Sequence, residues 1–414
     1  MLKKVFKSIY LNFIYLLIKI YSFFIKQDKN QILFYPDPIA NKQSVDVNNY
    51  TSECVLFFFN YILKQKTSYK YVLTYYQDYQ KNIPISKDIN NVDLYRQIYY
   101  PLQVRLSVSY IINLFKYYRE YFSSHIIITG DPLNSERLKK KTQKEFCISY
   151  YVPFKNDFLR RPKKVSNIDF VISGSKVCSQ IDSLASNIPY EKYIPLGLPK
   201  WESLLSPRYS KEKLYSFFNF LNSNSKIIIY TPTHRDYERN DTNKRGFLGI
   251  DKEYDDLNEI LKKHNTYLFV KLHATQNLSV IKNIKDYSNI KVLKYKNTYD
   301  YNLYDILPYS DLLISDYTST YFDWLVLNKP AIFYWYDFEK YKSTRGFSWD
   351  PIENVCEGEI AYSYEDLLEK ITVFLEGKYK VNKQKIDYIK SLVLGNNDNL
   401  GICDRILSFI KANE

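Results

Sequence analysis

Residues 308–350, PYSDLLISDYTSTYFDWLVLNKPAIFYWYDFEKYKSTRGFSWD, spell out a strand–helix–strand unit, and that unit sets the fold class for the whole chain. Residues 311–315 are a short apolar run ending in Ser315-Asp316, the pattern of a buried parallel strand. Tyr317-Thr318-Ser319-Thr320 then opens a segment with apolar residues at Tyr321, Trp324, Leu325 and Leu327, which is helical spacing. Lys329-Pro330 breaks it, residues 331–334 read as a second strand, and a loop carries Arg345-Gly346. A strand that runs into hydroxyl residues at a helix start can gather an anion. Unpaired amides, the positive helix end and the hydroxyls of Thr318, Ser319 and Thr320 face one spot. The same residues also make an ordinary helix N-cap, so this stretch alone leaves both readings open.

The alternation recurs on both sides of that unit. Runs at 31–35, 71–74, 126–129, 146–150, 170–173 and 193–196 read as strands, with helical spacing at 51–63 and after Gly174-Ser175. Gly197-Leu198-Pro199 closes this set. A second set follows, with strands at 226–230, 267–271 and 291–293 and helices at 254–263 and 364–375. Such alternation predicts parallel, helix-covered sheets whose ligands bind beyond the carboxyl ends of the strands. In the second set those ends carry Thr231-Pro232-Thr233-His234-Arg235, Lys271-Leu272-His273 and residues 315–320. At 414 residues the chain exceeds one ordinary core, which predicts two domains.

Composition excludes some classes. Hydrophobic residues at 45% and aromatics at 17% rule out a disordered chain. The net charge of +13 is spread along the sequence, which suits anionic partners such as nucleotide diphosphates or an acidic membrane face. No Lys/Arg block marks a nucleic-acid patch. The cysteines (Cys54, Cys147, Cys178, Cys356, Cys403) lack CxxC spacing, which indicates a reducing compartment and no zinc. No carboxylate pair or His cluster has ligand spacing, so no metal and no cofactor is expected. With 43 tyrosines, no single Tyr argues for sugar stacking.

Residues 1–26 are basic at the edges and apolar between Ile9 and Ile25, interrupted by Lys19. The apolar run of about 17 residues is at the short limit for a span. A helix lying in the membrane interface, with Lys3, Lys4, Lys7 and Lys19 toward headgroups, suits it best. A spanning helix and a helix packed on its own protein are the alternatives.

The succession Ser315-Asp316-Tyr317-Thr318-Ser319, Phe322-Asp323, Lys329-Pro330, Phe333-Tyr334-Trp335-Tyr336-Asp337 and Arg345-Gly346-Phe347 resembles the CDP-glycerol glycerophosphotransferase family, which builds the polyol-phosphate chains of teichoic acids and related capsular polymers. The resemblance implies a GT-B architecture: two Rossmann-type parallel-sheet domains around a central cleft. Here these are an acceptor domain at 27–200 and a donor domain at 201–414, preceded by the amphipathic membrane-associated segment 1–26. It implies transfer of a polyol phosphate from a CDP-polyol donor to a hydroxyl of a polyprenyl-linked or polymeric glycan, at the cytoplasmic face of the membrane, with CMP released. A GT-B glycosyltransferase using a nucleotide sugar and a non-catalytic nucleotide-binding scaffold are the rivals.

Lys271-Leu272-His273 matches the family's Lys-x-His, whose His contacts the pyrophosphate; a His there can steady the leaving CMP. A capping or core His is the alternative. Thr231-Pro232-Thr233-His234-Arg235 resembles the family's Pro-Thr-aromatic-Arg, with His234 in place of the aromatic and Arg235 able to fork onto a phosphate. Arg345 is a second guanidinium candidate, unless it pairs with Glu339 or Asp350. The expected donor-binding set is therefore Thr231, Thr233, His234, Arg235, Lys271, His273, Ser315, Asp316, Thr318, Ser319, Thr320, Asp323 and Arg345. The first domain departs from the family. Where Trp-His-Gly-Thr-Pro-Leu-Lys supplies a general-base His, this chain reads Ser149-Tyr150-Tyr151-Val152-Pro153-Phe154-Lys155. Tyr150 takes the place of the His, and a phenol is a poor base near neutral pH. Asp131, following the IIIT strand, is the best substitute, and His125 reads as structural. Catalytic candidates are Asp131, Tyr150 and His273.

Overall fold

The computed structural model describes residues 2–35, 53–65, 67–76, 95–100, 108–130, 138–149, 154–156, 167–233, 235, 248, 253–272, 285–293, 301–395 and 400–414, the backbone alone at 2–11, 75–76, 95–100 and 108–110. Two parallel sheets organise them. The first contains β1 (Asp28–Phe34), β2 (Lys70–Tyr76), β3 (Tyr95–Tyr100), β4 (Ser124–Thr129), β5 (Lys144–Ile148), β6 (Phe170–Ser173) and β7 (Tyr193–Pro195), in the order β3-β2-β1-β4-β5-β6-β7. The second contains β8 (Lys226–Thr231), β9 (Thr266–Val270), β10 (Ile290–Val292), β11 (Leu312–Ser315), β12 (Ala331–Tyr334) and β13 (Glu359–Ala361), in the order β10-β9-β8-β11-β12-β13. Each is a doubly wound sheet whose order reverses beside its own first strand, between β1 and β4 and between β8 and β11.

Apolar residues on both faces of the central strands explain the layering. Ile228, Tyr230, Leu312 and Ile314 pack under the helices Asp255–Lys263 and Tyr364–Leu375. Their neighbours Ile227, Ile229 and Leu313 face the other way, into a cluster shared with Ile32, Phe34, Ile126, Phe146 and Ile172 of the first sheet. One continuous core therefore joins the two domains. The expected strands are present, and the run at 146–150 ends as a strand at Ile148. β3 and β13 were not expected, because edge strands are short and mixed in polarity.

The helices Lys383–Val393 and Ile402–Ala412 pack against elements of the first sheet. Ser175 Oγ donates to Leu392 O at 2.6 Å, and Phe409 lies edge-on to Phe146 and Phe170 at 6.2 and 5.1 Å. The turn before the crossing is tight where they meet. A Cβ on Gly174 would stand 2.5 Å from Trp201 Cη2, so the β6 turn accepts only glycine against that indole.

The amino-terminal segment is a helix, Leu2–Phe24. Ile14 and Ile18 dock it on Leu114 and Tyr117 of the helix Val108–Ser123. Phe13, Leu16, Ile20, Phe23 and Phe24 remain exposed, the last two at 80% and 79%. Among the described residues no helix is long and apolar enough to cross a membrane.

Candidate functional site

The reversal point between β8 and β11 gathers most of the expected donor residues. Ser315 and Thr231 are register partners at the carboxyl ends of these strands. Both hydroxyls are buried and, among the described residues, have no hydrogen-bond partner. Just beyond them Asp316 ties the two strand ends together. It accepts from the Thr233 amide at 2.8 Å, from Thr233 Oγ1 at 2.7 Å and from its neighbour Tyr317 N at 2.5 Å. Lys271 joins the same edge, its amide donating to Tyr230 O at 2.8 Å. Thr318, Ser319 and Thr320 follow Tyr317 and are half-buried. Ser319 caps the helix Thr320–Trp324 without a side-chain cap bond, and Thr318 Oγ1 and Thr320 Oγ1 stand 3.2 Å apart. That helix has only five residues, so its dipole is small and the amides and hydroxyls carry any anion binding.

Arg235 corrects the expectation of a guanidinium free to fork onto phosphate. It is 3% exposed, and four of its five N–H donors are committed within the protein. Nη1 donates to Asp316 Oδ2 at 2.7 Å and to Thr233 O at 2.8 Å. Nε and Nη2 fork onto Asp337 at 2.7 and 3.1 Å. The guanidinium lies over the rings of Tyr317, Tyr336 and Tyr341 at 4.9, 5.4 and 5.1 Å. Burial opposes its charge, but Asp316, Tyr336 and Asp337 outweigh that and hold it above its ordinary pKa. Arg235 thus splices the loop after β8 to the ends of β11 and β12. Tyr341 stacks on Tyr317 with centroids 4.0 Å apart, and the Arg345 amide donates to Tyr341 O at 2.8 Å. Arg345 therefore sits one helical turn from the aromatic box.

Asp323 is a second correction. It is 1% exposed and faces the first domain instead of the strand ends. It accepts from Lys200 Nζ at 2.9 Å, Trp201 Nε1 at 2.8 Å and Tyr304 OH at 2.7 Å. Burial works against the Lys200 ammonium, yet Asp323 raises its pKa, and burial, against the opposing charge of Lys200, pushes the neighbouring Cys54 thiol up to about 12. Asp131, Tyr150, His234 and His273 lie outside the described residues. The sequence reading missed Asp337, Tyr317, Tyr336 and Tyr341 as site-building groups. Asp337, Tyr317 and Tyr336 stood in the quoted motif, but among 43 tyrosines no single ring argued for a role, and Tyr341 lay outside the motif. Among the described residues no cluster of three or more His, Cys, Asp or Glu could hold a metal ion.

The sequence profile described as "CDP-Glycerol:Poly(glycerophosphate) glycerophosphotransferase" matches residues 25–407. The chain belongs to this family. It is 33% identical over 231 residues to the teichoic acid glycerol-phosphate primase of Bacillus subtilis (strain 168), covering 55% of each protein. It is 30% identical over 211 residues to the teichoic acid ribitol-phosphate polymerase TarK of Staphylococcus aureus (strain NCTC 8325 / PS 47), covering 47% of this glycerophosphotransferase-family chain and 39% of TarK. The chain thus spans about half, or less, of the length of these curated relatives. In fold it is similar to the wall teichoic acid polymerase TagF, with a TM-score of 0.68 at 19% identity over 94% of this chain and 90% of that one. A UDP-GlcNAc 2-epimerase from Methanocaldococcus jannaschii shares the GT-B-like fold more loosely, with a TM-score of 0.53 at 12% identity over 93% of this chain and all (100%) of that one.

Proposed function

We propose that this chain transfers a polyol phosphate from a CDP-polyol to a glycan hydroxyl and releases CMP. The observation that carries the reading is the paired, unpartnered hydroxyls of Thr231 and Ser315 at the β8/β11 reversal, followed at once by Thr318, Ser319 and Thr320. This is where a doubly wound sheet receives a nucleotide. The soak of TagF with CDPG supports the donor class, and the polyol-phosphate primases and polymerases among its relatives support the reaction class.

In the proposed step an acceptor oxygen attacks the polyol-proximal phosphorus. A new P–O bond forms, the bond to CMP breaks, and the acceptor proton passes to a base. Amides after Asp316 and the hydroxyls of Thr318, Ser319 and Thr320 hold the pyrophosphate, with Lys271, His273 and Arg345 countering its charge. Arg235 and Asp316 act from behind by fixing the loops. Positioning and charge stabilisation supply most of the rate in a loose phosphoryl transition state. Asp131 or Tyr150 takes the proton. The exposed Phe13, Leu16, Ile20, Phe23 and Phe24, beside Lys19, suit a helix resting on an anionic membrane face, where a polyprenyl-linked or polymeric acceptor is met.

The test is incubation with labelled CDP-glycerol, CDP-ribitol and UDP-sugars, with an acceptor glycan phosphate. Transfer from a CDP-polyol with CMP release is expected. Transfer from a nucleotide sugar alone, or nucleotide binding without turnover, would sink the reading. His273→Ala should lower turnover by about 100-fold. Flotation with anionic liposomes should fail for a chain lacking residues 1–26.

A further inference from the structure

Segments that follow β5 in the first domain and Arg345 in the second are stitched to each other by backbone. The chain leaves the carboxyl end of β5 and, at Phe154–Lys155–Asn156, runs antiparallel to Gly346–Phe347–Ser348 of the other domain, with Lys155 and Phe347 as bridge partners. Asn156 N donates to Gly346 O at 3.1 Å and Ser348 N donates to Phe154 O at 3.0 Å. Ser348 Oγ adds a third bond, donating to Lys155 O at 2.7 Å. Phe154 is fully buried, its ring 5.0 Å from Phe322 of the donor-side helix and 6.4 Å edge-on to Phe347. Phe347 in turn lies against Tyr317 and Tyr341, two walls of the Arg235 box, at 5.4 and 5.7 Å. Gly346 holds φ +70°, in the left-handed region that favours glycine, to aim its carbonyl at Asn156.

A two-domain transferase must hold acceptor oxygen and donor phosphorus in line at near-contact distance, and a misplacement of about 1 Å can lower the rate about 100-fold. Side chains reaching across a cleft can swing, whereas a short antiparallel bridge fixes spacing and direction together. We propose that Phe154 and Ser348 are positioning residues: they lock the acceptor-side Phe154-Lys155-Asn156 segment to the donor-side Gly346-Phe347-Ser348 segment and so set the distance over which the phosphoryl group moves. This rests on the polyol-phosphotransferase reading above. Neither residue touches the reacting atoms. Phe154 acts through Phe322 and Phe347, and Ser348 acts through the Lys155 carbonyl.

The experiment uses the full chain with Ser348→Ala, Ser348→Thr and Phe154→Leu, the last keeping an apolar plug should Phe154→Ala fail to fold. Transfer from CDP-glycerol, CMP affinity and hydrogen exchange over residues 154–156 are measured together. For Ser348→Ala the expected result is a kcat about tenfold lower with CMP affinity and donor KM within about twofold, restored by Ser348→Thr. The Asn156 amide should exchange slowly in the parent and faster in Ser348→Ala. Phe154→Leu should lower kcat in the same selective way. An unchanged kcat in Ser348→Ala and Phe154→Leu, or an equal fall in kcat and CMP affinity, overturns the proposal. If the parent turns over no CDP-polyol, the functional reading has failed, and the clasp is judged by exchange alone. Protection at Asn156 that Ser348→Ala removes supports it, and fast exchange in the parent overturns it.

Discussion

Asp316 and Asp323 are close neighbours in sequence, and both are buried carboxylates with cationic partners, yet they do different work. Asp316 faces Arg235 and joins two strand ends at the β8/β11 reversal, with Arg235 reaching on to Asp337 after β12. Asp323, on the short helix that follows, faces Lys200 and fastens the second domain to the turn after β7. The partner type differs for a physical reason. A guanidinium can fork onto two carboxylates and stack on rings at once, which suits a junction of several loops. An ammonium is a point charge, and Trp201 and Tyr304 must supply the other bonds Asp323 requires. One motif thus builds the site on one side and holds the domains together on the other.

Removing the first partner should have the larger effect. Arg235→Ala leaves the buried Asp316 without this cation and should destabilise the chain by about 3–5 kcal/mol, while abolishing CMP binding. Urea melts and calorimetry with CMP check both. An Arg235→Lys variant sharpens the contrast. It keeps the charge and loses the fork, so CMP binding should fall even where the fold survives.

Lys200→Met should cost less, near the lower end of that range at about 3 kcal/mol, because Trp201 and Tyr304 still donate to Asp323. CMP affinity should stay within about twofold, since the strand ends do not depend on this pair. Strong loss of CMP binding in Lys200→Met would erase the distinction between the two carboxylates.

Thr231→Val removes a buried hydroxyl that has no partner and should raise stability by about 1 kcal/mol. If Thr231 meets the donor, the same variant should weaken CDP-polyol binding. A neutral result in both measurements would leave Asp316 and Arg235 as scaffold around an unused edge.

The smallest effect is expected far from either carboxylate, at His125. Burial first, then Lys29 and Lys144, lower its pKa below the ordinary value. The unfolded chain therefore takes up the proton before the native one, so this group's contribution is present above about pH 6.5 and is lost as pH falls toward the native value. His125→Gln should flatten the part of the stability loss seen between pH 7.5 and 5.5 in urea melts.

Much of this was legible along the chain. Short apolar runs separated by helical spacing specify parallel strands wherever they occur, because burial on both faces is a local requirement met by local residues. Hence β8, β9, β11 and β12 and the hydroxyls at their ends could be read directly, as could the family motif between Ser315 and Phe347. What the hydroxyl-rich stretch leaves open is direction. Nothing local distinguishes an Asp that lines a site from one that anchors a domain, and Asp323 was read as the former. Likewise Arg235 is a phosphate-binding residue type at the carboxyl end of a strand, but only the positions of Asp316 and Asp337 show that most of its donors are taken up inside the protein. The packing of Ile402–Ala412 against the first sheet was equally invisible, since an amphipathic helix states that it must be covered without stating by what. Periodicity and composition determined the strands and helices, and the motif between Ser315 and Phe347 pointed to the family. The partners of buried charges, the neighbours of the last helices and the stitch between Phe154 and Ser348 depend on contacts between residues far apart in sequence, and so only the tertiary structure decided them.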